Sequence, residues 1–228
     1  MNPAFLSITE ALLWPLLLRR VSYEVSGLEH IPRGPAIIAS NHLGVFDPPA
    51  TLIALRRCLP PRHLYYLAKR SLFEIRFAGV AWVAWMLNQI DAVSLDPGKA
   101  DLTAFKAALR HLEVGRLVGI FPEGGITWTH QPRPALPGLA LLSHLAQVPV
   151  VPLGITGTRP LWWRDADGTL CFNHLQLRFG PSIAPPPRAR MTEEARLAFS
   201  QGVLDECYRL VEISLDGNRA PLGATPGR

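Results

Sequence analysis

Three side chains combine acid–base chemistry with a telling position. His42 and Asp47 stand five residues apart in "NHLGVFD", which follows the apolar run Ala36 to Ala39 after a single serine, Ser40. Glu123 stands in "FPEGG", directly after a second apolar run that ends at Phe121. An imidazole can take up a proton near neutral pH. It does so best when a carboxylate holds its other ring nitrogen, which sets the tautomer and stabilises the imidazolium. A sharp turn after His42, eased by Gly44, would let Asp47 meet it. In the second stretch a rigid proline, a carboxylate and glycines suit a place where backbone N–H groups approach a ligand. Each motif also has a plainer reading. Asp before Pro is a common helix start, and a Glu in a Pro/Gly turn sits well near a helix N-terminus.

The elements that would position these residues alternate along the chain. Strand patterns occupy Val21 to Val25, Pro35 to Ser40, Leu64 to Lys69, Ile90 to Leu95, Arg116 to Phe121, Val148 to Ile155 and Leu175 to Gly180. Helical patterns fall at Pro48 to Arg57, with Asp47 as N-cap, at Ser71 to Leu87 and at Ala135 to Gln147. After Gly98, Leu102, Phe105, Leu109 and Leu112 share one helical face. A last helix starts near Thr192, with Ala195, Phe199, Val203 and Leu210 on one face. This order predicts an α/β fold with a central, largely parallel sheet flanked by helices. Ligands of such sheets sit beyond the carboxyl ends of the strands, where both His42 and Glu123 fall.

The 228 residues are 48% hydrophobic and only 18% charged, which excludes a disordered chain. A net charge of +5 favours an anionic partner. The arginines are dispersed and the tryptophans lie in apolar runs, so no nucleic-acid partner is expected. Three scattered cysteines, Cys58, Cys171 and Cys207, predict reduced thiols in the cytosol. Seven histidines are present without H-E-x-x-H or paired-cysteine spacing, so no metal is expected. G-x-S-x-G and the P-loop pattern are absent too.

"NHLGVFD", "FPEG", the proline-bearing "VPVVPLGI" and the downstream "RFGPSI" occur in that order, and together they resemble the glycerolipid acyltransferase family typified by lysophosphatidic acid acyltransferases. The resemblance covers roughly Val21 to Pro186. It implies transfer of an acyl chain from an acyl-CoA or acyl-carrier-protein thioester to a lipid hydroxyl, with no cofactor and no metal. The expected acceptor is a lysophospholipid, 1-acyl-sn-glycerol-3-phosphate first, in phospholipid biosynthesis. The alternatives are a less charged hydroxylated lipid or a catalytically inactive lipid-binding relative. It implies His42 as base, Asp47 as its orienter, and Asn41, Phe121, Pro122, Glu123, Gly124 and Gly125 as substrate-binding residues. With the apolar, periodic and Gly/Pro-rich stretches outside that range, the chain is expected to divide into an N-terminal amphipathic/apolar, membrane-associating helix (1–20), an acyltransferase domain (21–190), a C-terminal helix (191–215) and a flexible tail (216–228).

The chain departs from the family pattern at two arginines. Ser94 stands where the block ending Ile-x-Val-Asp-Arg has one, and Ile126 stands where FPEG-Thr-Arg-Ser has the other. Lys69, Lys99 and Arg133 are the candidates left to hold a phosphate. Two short apolar runs, Ala11 to Leu18 and Phe77 to Leu87, have arginines beside them. An apolar face with basic flanks predicts a protein peripheral to the cytoplasmic face of the cell membrane, in contact with membrane lipids.

Overall fold

A computed structural model of the chain describes residues 23–44, 46–58, 64–69, 93–95, 102–127, 132–159, 162–164, 167, 170–172 and 174–211. The expected helices at 1–20 and Ser71 to Leu87, and the tail at 216–228, lie outside these residues. Strands β1 (Tyr23–Ser26), β2 (Ala36–Ser40), β3 (Leu64–Lys69), β4 (Val93–Leu95), β5 (Leu117–Ile120), β6 (Val150–Thr156) and β9 (Leu175–Phe179) form one sheet. Its order is β1-β9-β6-β2-β5-β3-β4. The five strands from β6 to β4 run parallel, and β9 meets β6 antiparallel and carries β1 with it. A hairpin of β7 (Trp162–Arg164) and β8 (Leu170–Phe172) stands apart from that sheet. The sequence pattern does not announce it, because each strand is three residues long.

Four helices complete the described fold: α1 (Asp47–Cys58), α2 (Leu102–Glu113), α3 (Gly138–Ala146) and α4 (Glu193–Leu210). The alternation of strand side chains sends each face of the sheet to a different helix set. Ala36 and Ile38 pack with Leu52, Ala54 and Leu55 of α1. Ile37 and Ala39 pack with Ala108 and Leu112 of α2, Leu139 and Leu142 of α3, and Val203 and Cys207 of α4. All five residues of β2 are therefore buried, as its unbroken apolar run requires of a central parallel strand. Burying Ile37 and Ile38 contributes about 1.5–3 kcal/mol each.

Helix α4 begins as its sequence predicts. The Thr192 side chain accepts a hydrogen bond from the Ala195 N–H at 3.2 Å, closing the cap. Its far end lies against β6 and β2, and the Cys207 thiol donates to the Ala39 carbonyl of β2 at 3.1 Å. Burial pushes that thiol up to about 12, so it stays protonated at physiological pH. A thiol reagent is accordingly expected to spare the Cys207 peptide in the native protein and to label it once urea unfolds the chain. Peptide mass mapping before and after denaturation checks this.

Candidate active site

Strands β5, β2 and β6 lie side by side at the sheet centre, and their carboxyl ends deliver the site. Asn41 and His42 follow β2, Phe121 to Glu123 follow β5, and Thr158 and Arg159 follow β6. From β2 the chain passes through α1 to β3 on one side, and from β5 through α3 to β6 on the other. The crevice thus lies where the connections diverge, the usual ligand position in such sheets.

His42 and Asp47 meet. His42 Nδ1 lies 2.8 Å from Asp47 Oδ2, and the Asp47 side chain is fully buried. An ionised carboxylate only accepts, so Nδ1 carries the proton and the Nε2 lone pair is the basic one. The same Oδ2 accepts the N–H groups of Leu43 at 2.8 Å and Gly44 at 2.9 Å. Asp47 was expected to cap α1. It stands at the helix start, but its carboxylate turns back onto the preceding loop and binds residues three and four positions upstream. The bent "HLGVFD" segment is therefore closed around one oxygen. The Thr51 hydroxyl donates to the Asp47 carbonyl at 2.9 Å and secures the first helical turn.

Aromatic rings form the other wall. The His42 ring stacks on Phe121 with centroids 3.8 Å apart, and Phe121 stacks on Tyr66 at 5.3 Å. Tyr66 can lie there because its partner across β3 and β5 is Gly119. A Cβ at that position would come within 2.5 Å of the Tyr66 ring. Burial pushes the Tyr66 phenol above the ordinary tyrosine range, so it remains neutral beneath the site.

Glu123 occupies the centre of the assembly and is 1% exposed. Its Oε1 accepts the His42 N–H at 3.1 Å and the Tyr208 hydroxyl at 2.9 Å. Its Oε2 accepts the Thr127 hydroxyl and the Arg133 N–H, the latter at 3.1 Å. A buried carboxylate is costly without partners, and four donors offset that cost. Its position is that of a brace joining the β2 loop, the β5 loop and α4, with both oxygens engaged by protein groups. The turn that aims it is written in "FPEG". Pro122 and Glu123 are the two central residues of a β-turn closed by the Gly124 N–H on the Phe121 carbonyl at 2.9 Å. Gly124 itself has φ 67°, and a Cβ there would lie 2.5 Å from Leu136.

The remaining expected residues separate into two groups. Asn41 is buried, and its amide exchanges two hydrogen bonds of 2.8 Å with the backbone of Ile155. It thereby continues the β2–β6 ladder past the strand end. Pro122 is buried and Gly125 half-buried in the same loop. Among the expected cations, Arg133 has its backbone on Glu123 and an exposed side chain. Lys69 ends β3, with a side chain outside the described residues, and Lys99 lies outside them altogether. Two residues at the site were missed by sequence reasoning, Tyr208 and Arg159. Tyr208 is on α4, 85 residues from Glu123, with no spacing to announce it. Arg159 donates to the Thr127 carbonyl at 2.7 Å, and its only sequence signal is that it follows the proline-bearing strand.

Tyr208→Phe keeps the ring packing and deletes one donor to a buried carboxylate. It is expected to lower stability by about 1–3 kcal/mol, read as a lower midpoint in urea with an unchanged m-value.

Fold and site define an α/β enzyme with a histidine–aspartate pair at the carboxyl edge of its sheet, braced by a buried glutamate. The Acyltransferase family matches residues 22–156, more than half of the chain, and the chain belongs to that family. It is an O-acyltransferase. It is 26% identical over 204 residues to the 1-acyl-sn-glycerol-3-phosphate acyltransferase of Bacillus subtilis, covering 88% of this chain and 94% of that protein. It is 27% identical over 210 residues to the human 1-acyl-sn-glycerol-3-phosphate acyltransferase alpha, covering 89% and 70%. In structure it is similar to the 1-acyl-sn-glycerophosphate (LPA) acyltransferase, PlsC, from Thermotoga maritima. That match has a TM-score of 0.61 and 21% identity, over 94% of this chain and 81% of the other.

Proposed function

We propose that this acyltransferase moves a fatty acyl chain from an acyl-CoA or acyl-carrier-protein thioester to the free hydroxyl of 1-acyl-sn-glycerol-3-phosphate (lysophosphatidic acid, LPA), a step of phospholipid synthesis. The His42–Asp47 contact of 2.8 Å, at the mouth of the central strands, carries the reading. Relatives bearing that activity in their names support the choice of acceptor. His42 Nε2 takes the hydroxyl proton as the oxygen attacks the thioester carbonyl. The new C–O bond forms, the C–S bond breaks, and the proton passes from His42 to the departing thiolate. Asp47 holds the imidazolium during the step. Thiolate leaves readily, so the mechanism calls for no acyl-enzyme and no metal. The enzyme works at the cytoplasmic face of the membrane, where its lipid substrate resides.

Purified protein incubated with a labelled acyl thioester and a panel of lysolipids and lipid alcohols should yield phosphatidic acid as the main product by mass spectrometry. Absence of transfer to every acceptor would overturn the reading. A second reading, acylation of a less charged lipid, is favoured by Ser94 and Ile126 at the two arginine positions of the family pattern. Exclusive transfer to an uncharged acceptor would establish it instead. On anionic liposomes the protein is expected to float at low salt and to be released in part at high salt. Failure to float under both conditions would refute the membrane assignment.

A further inference from the structure

We infer that Tyr66 is a positioning residue for the His42 base, an inference that rests on the mechanism proposed above. Its phenol and the Ser40 hydroxyl hold one buried water, and that water donates to the second oxygen of Asp47. Three side-chain oxygens carry the argument: Tyr66 Oη, Ser40 Oγ and Asp47 Oδ1. Their residues are 2%, 0% and 0% exposed, and none of the three oxygens has a hydrogen-bond partner among the described residues. Buried polar groups find partners, and a water serves where about two to four of them share a site.

The sheet register brings the three to one side of the sheet. Tyr66 and Ile38 both pair with Gly119, one from each side of β5. A Cβ on Gly119 would lie 2.5 to 2.9 Å from three atoms of the Tyr66 ring, so the ring lies across β5. Ser40 is the next residue of β2 on the same face as Ile38, at the carboxyl end of the strand. Helix α1, which Asp47 opens, covers that face, and its Leu55 shares one apolar cluster with Ile38 and Tyr66. Burial holds the phenol above the ordinary tyrosine range, the Thr51 hydroxyl opposes that push and the Asp47 charge adds to it. Both groups of α1 therefore act on the phenol, which is a donor at neutral pH. Thr51 does not serve Asp47 Oδ1, because its own proton is on the Asp47 carbonyl at 2.9 Å. A buried carboxylate needs donors on both oxygens, and all three that Asp47 has are on Oδ2. A water that accepts from the phenol and the Ser40 hydroxyl supplies the donor for Oδ1.

The experiment measures kcat/KM against pH for wild type, Tyr66→Phe and Ser40→Ala, on whichever lipid acceptor wild type acylates, with the thermal midpoint of each recorded. Tyr66→Phe keeps the ring on Gly119 and Phe121 and loses the donor. The negative charge of the pair is then less well supported, so the pair takes up a proton at higher pH. The acid limb should move up by about one pH unit, which lowers kcat/KM about 10-fold below the limb and less above it. Among the described residues, the other charged or titratable groups around the pair are Glu123 on the β5 loop, Arg159 after β6, and Cys207 and Tyr208 on α4. All of them are unchanged in the variant, so the shift reports the phenol. The thermal midpoint should fall, whereas loss of a hydroxyl that served nothing would leave it level or raise it. Ser40→Ala should move the limb the same way by less, and it carries the test should Tyr66→Phe not fold. A crystal structure of wild type should place one water within hydrogen-bond distance of all three oxygens. An unmoved limb in the variant that carries the test, or three oxygens without a shared water, overturns the inference and leaves the acyl transfer intact. A wild type that transfers to no acceptor defeats the reading of the site itself, and the inference with it.

Discussion

His42→Ala is expected to lower turnover by ~10²–10⁴, the range for losing a positioned general base. The ring is held on two sides, by Asp47 at Nδ1 and by the Phe121 face 3.8 Å away, and the residue's backbone N–H is fixed on Glu123. Such constraint points Nε2 in one direction, and no water can replace it with the same aim. Loss of the side chain should leave the loop in place, because the loop is closed by backbone contacts. These are the Leu43 and Gly44 N–H groups on Asp47, and the Thr127 N–H on the His42 carbonyl. The far-ultraviolet circular dichroism should therefore match wild type while thiol release from the acyl donor collapses. Near-normal thiol release with the acceptor present would remove His42 from the mechanism.

Asp47→Asn should be of comparable severity, for a different reason. Oδ2 accepts three hydrogen bonds, and an asparagine oxygen in that place can still accept all three. The loop and the tautomer can thus persist. What is lost is the negative charge that stabilises the imidazolium as the proton moves. The amide also puts an NH2 group where Oδ1 stands, a buried atom with no hydrogen-bond partner among the described residues. That adds a destabilisation of about 1–3 kcal/mol from an unsatisfied donor. The expected result is a kcat lowered ~10²–10⁴ with little change in KM. Asp47→Ala should do more, since it also opens the turn, and its thermal midpoint should drop below that of Asp47→Asn. Equal turnover in Asp47→Asn and wild type would show that the carboxylate only shapes the loop.

The contact of the His42–Asp47 pair and the class of fold were legible in the chain. Apolar runs such as "AIIA" and "LVGI" fit strands buried on both faces, and their alternation with helical periods points to a parallel sheet. The His42–Asp47 contact could be anticipated because both residues lie in one short turn. Helix starts were readable within a residue or two where local chemistry sets them, as at Thr192, and less well at Ala135, where α3 waits until Gly138. The task of Glu123 was not readable. Its donors come from residues 42, 127, 133 and 208, brought together only when β2, β5 and α4 pack. Asn41 likewise meets Ile155 across 114 residues. Arg159 reaches the site because β6 lies next to β2, a neighbour relation set by sheet order. Sequence by itself determined the groups that can exchange a proton, since that depends on residue type and short spacing. Tertiary structure decided which polar groups are spent on holding them, since a buried carboxylate or amide must find its partners wherever packing supplies them.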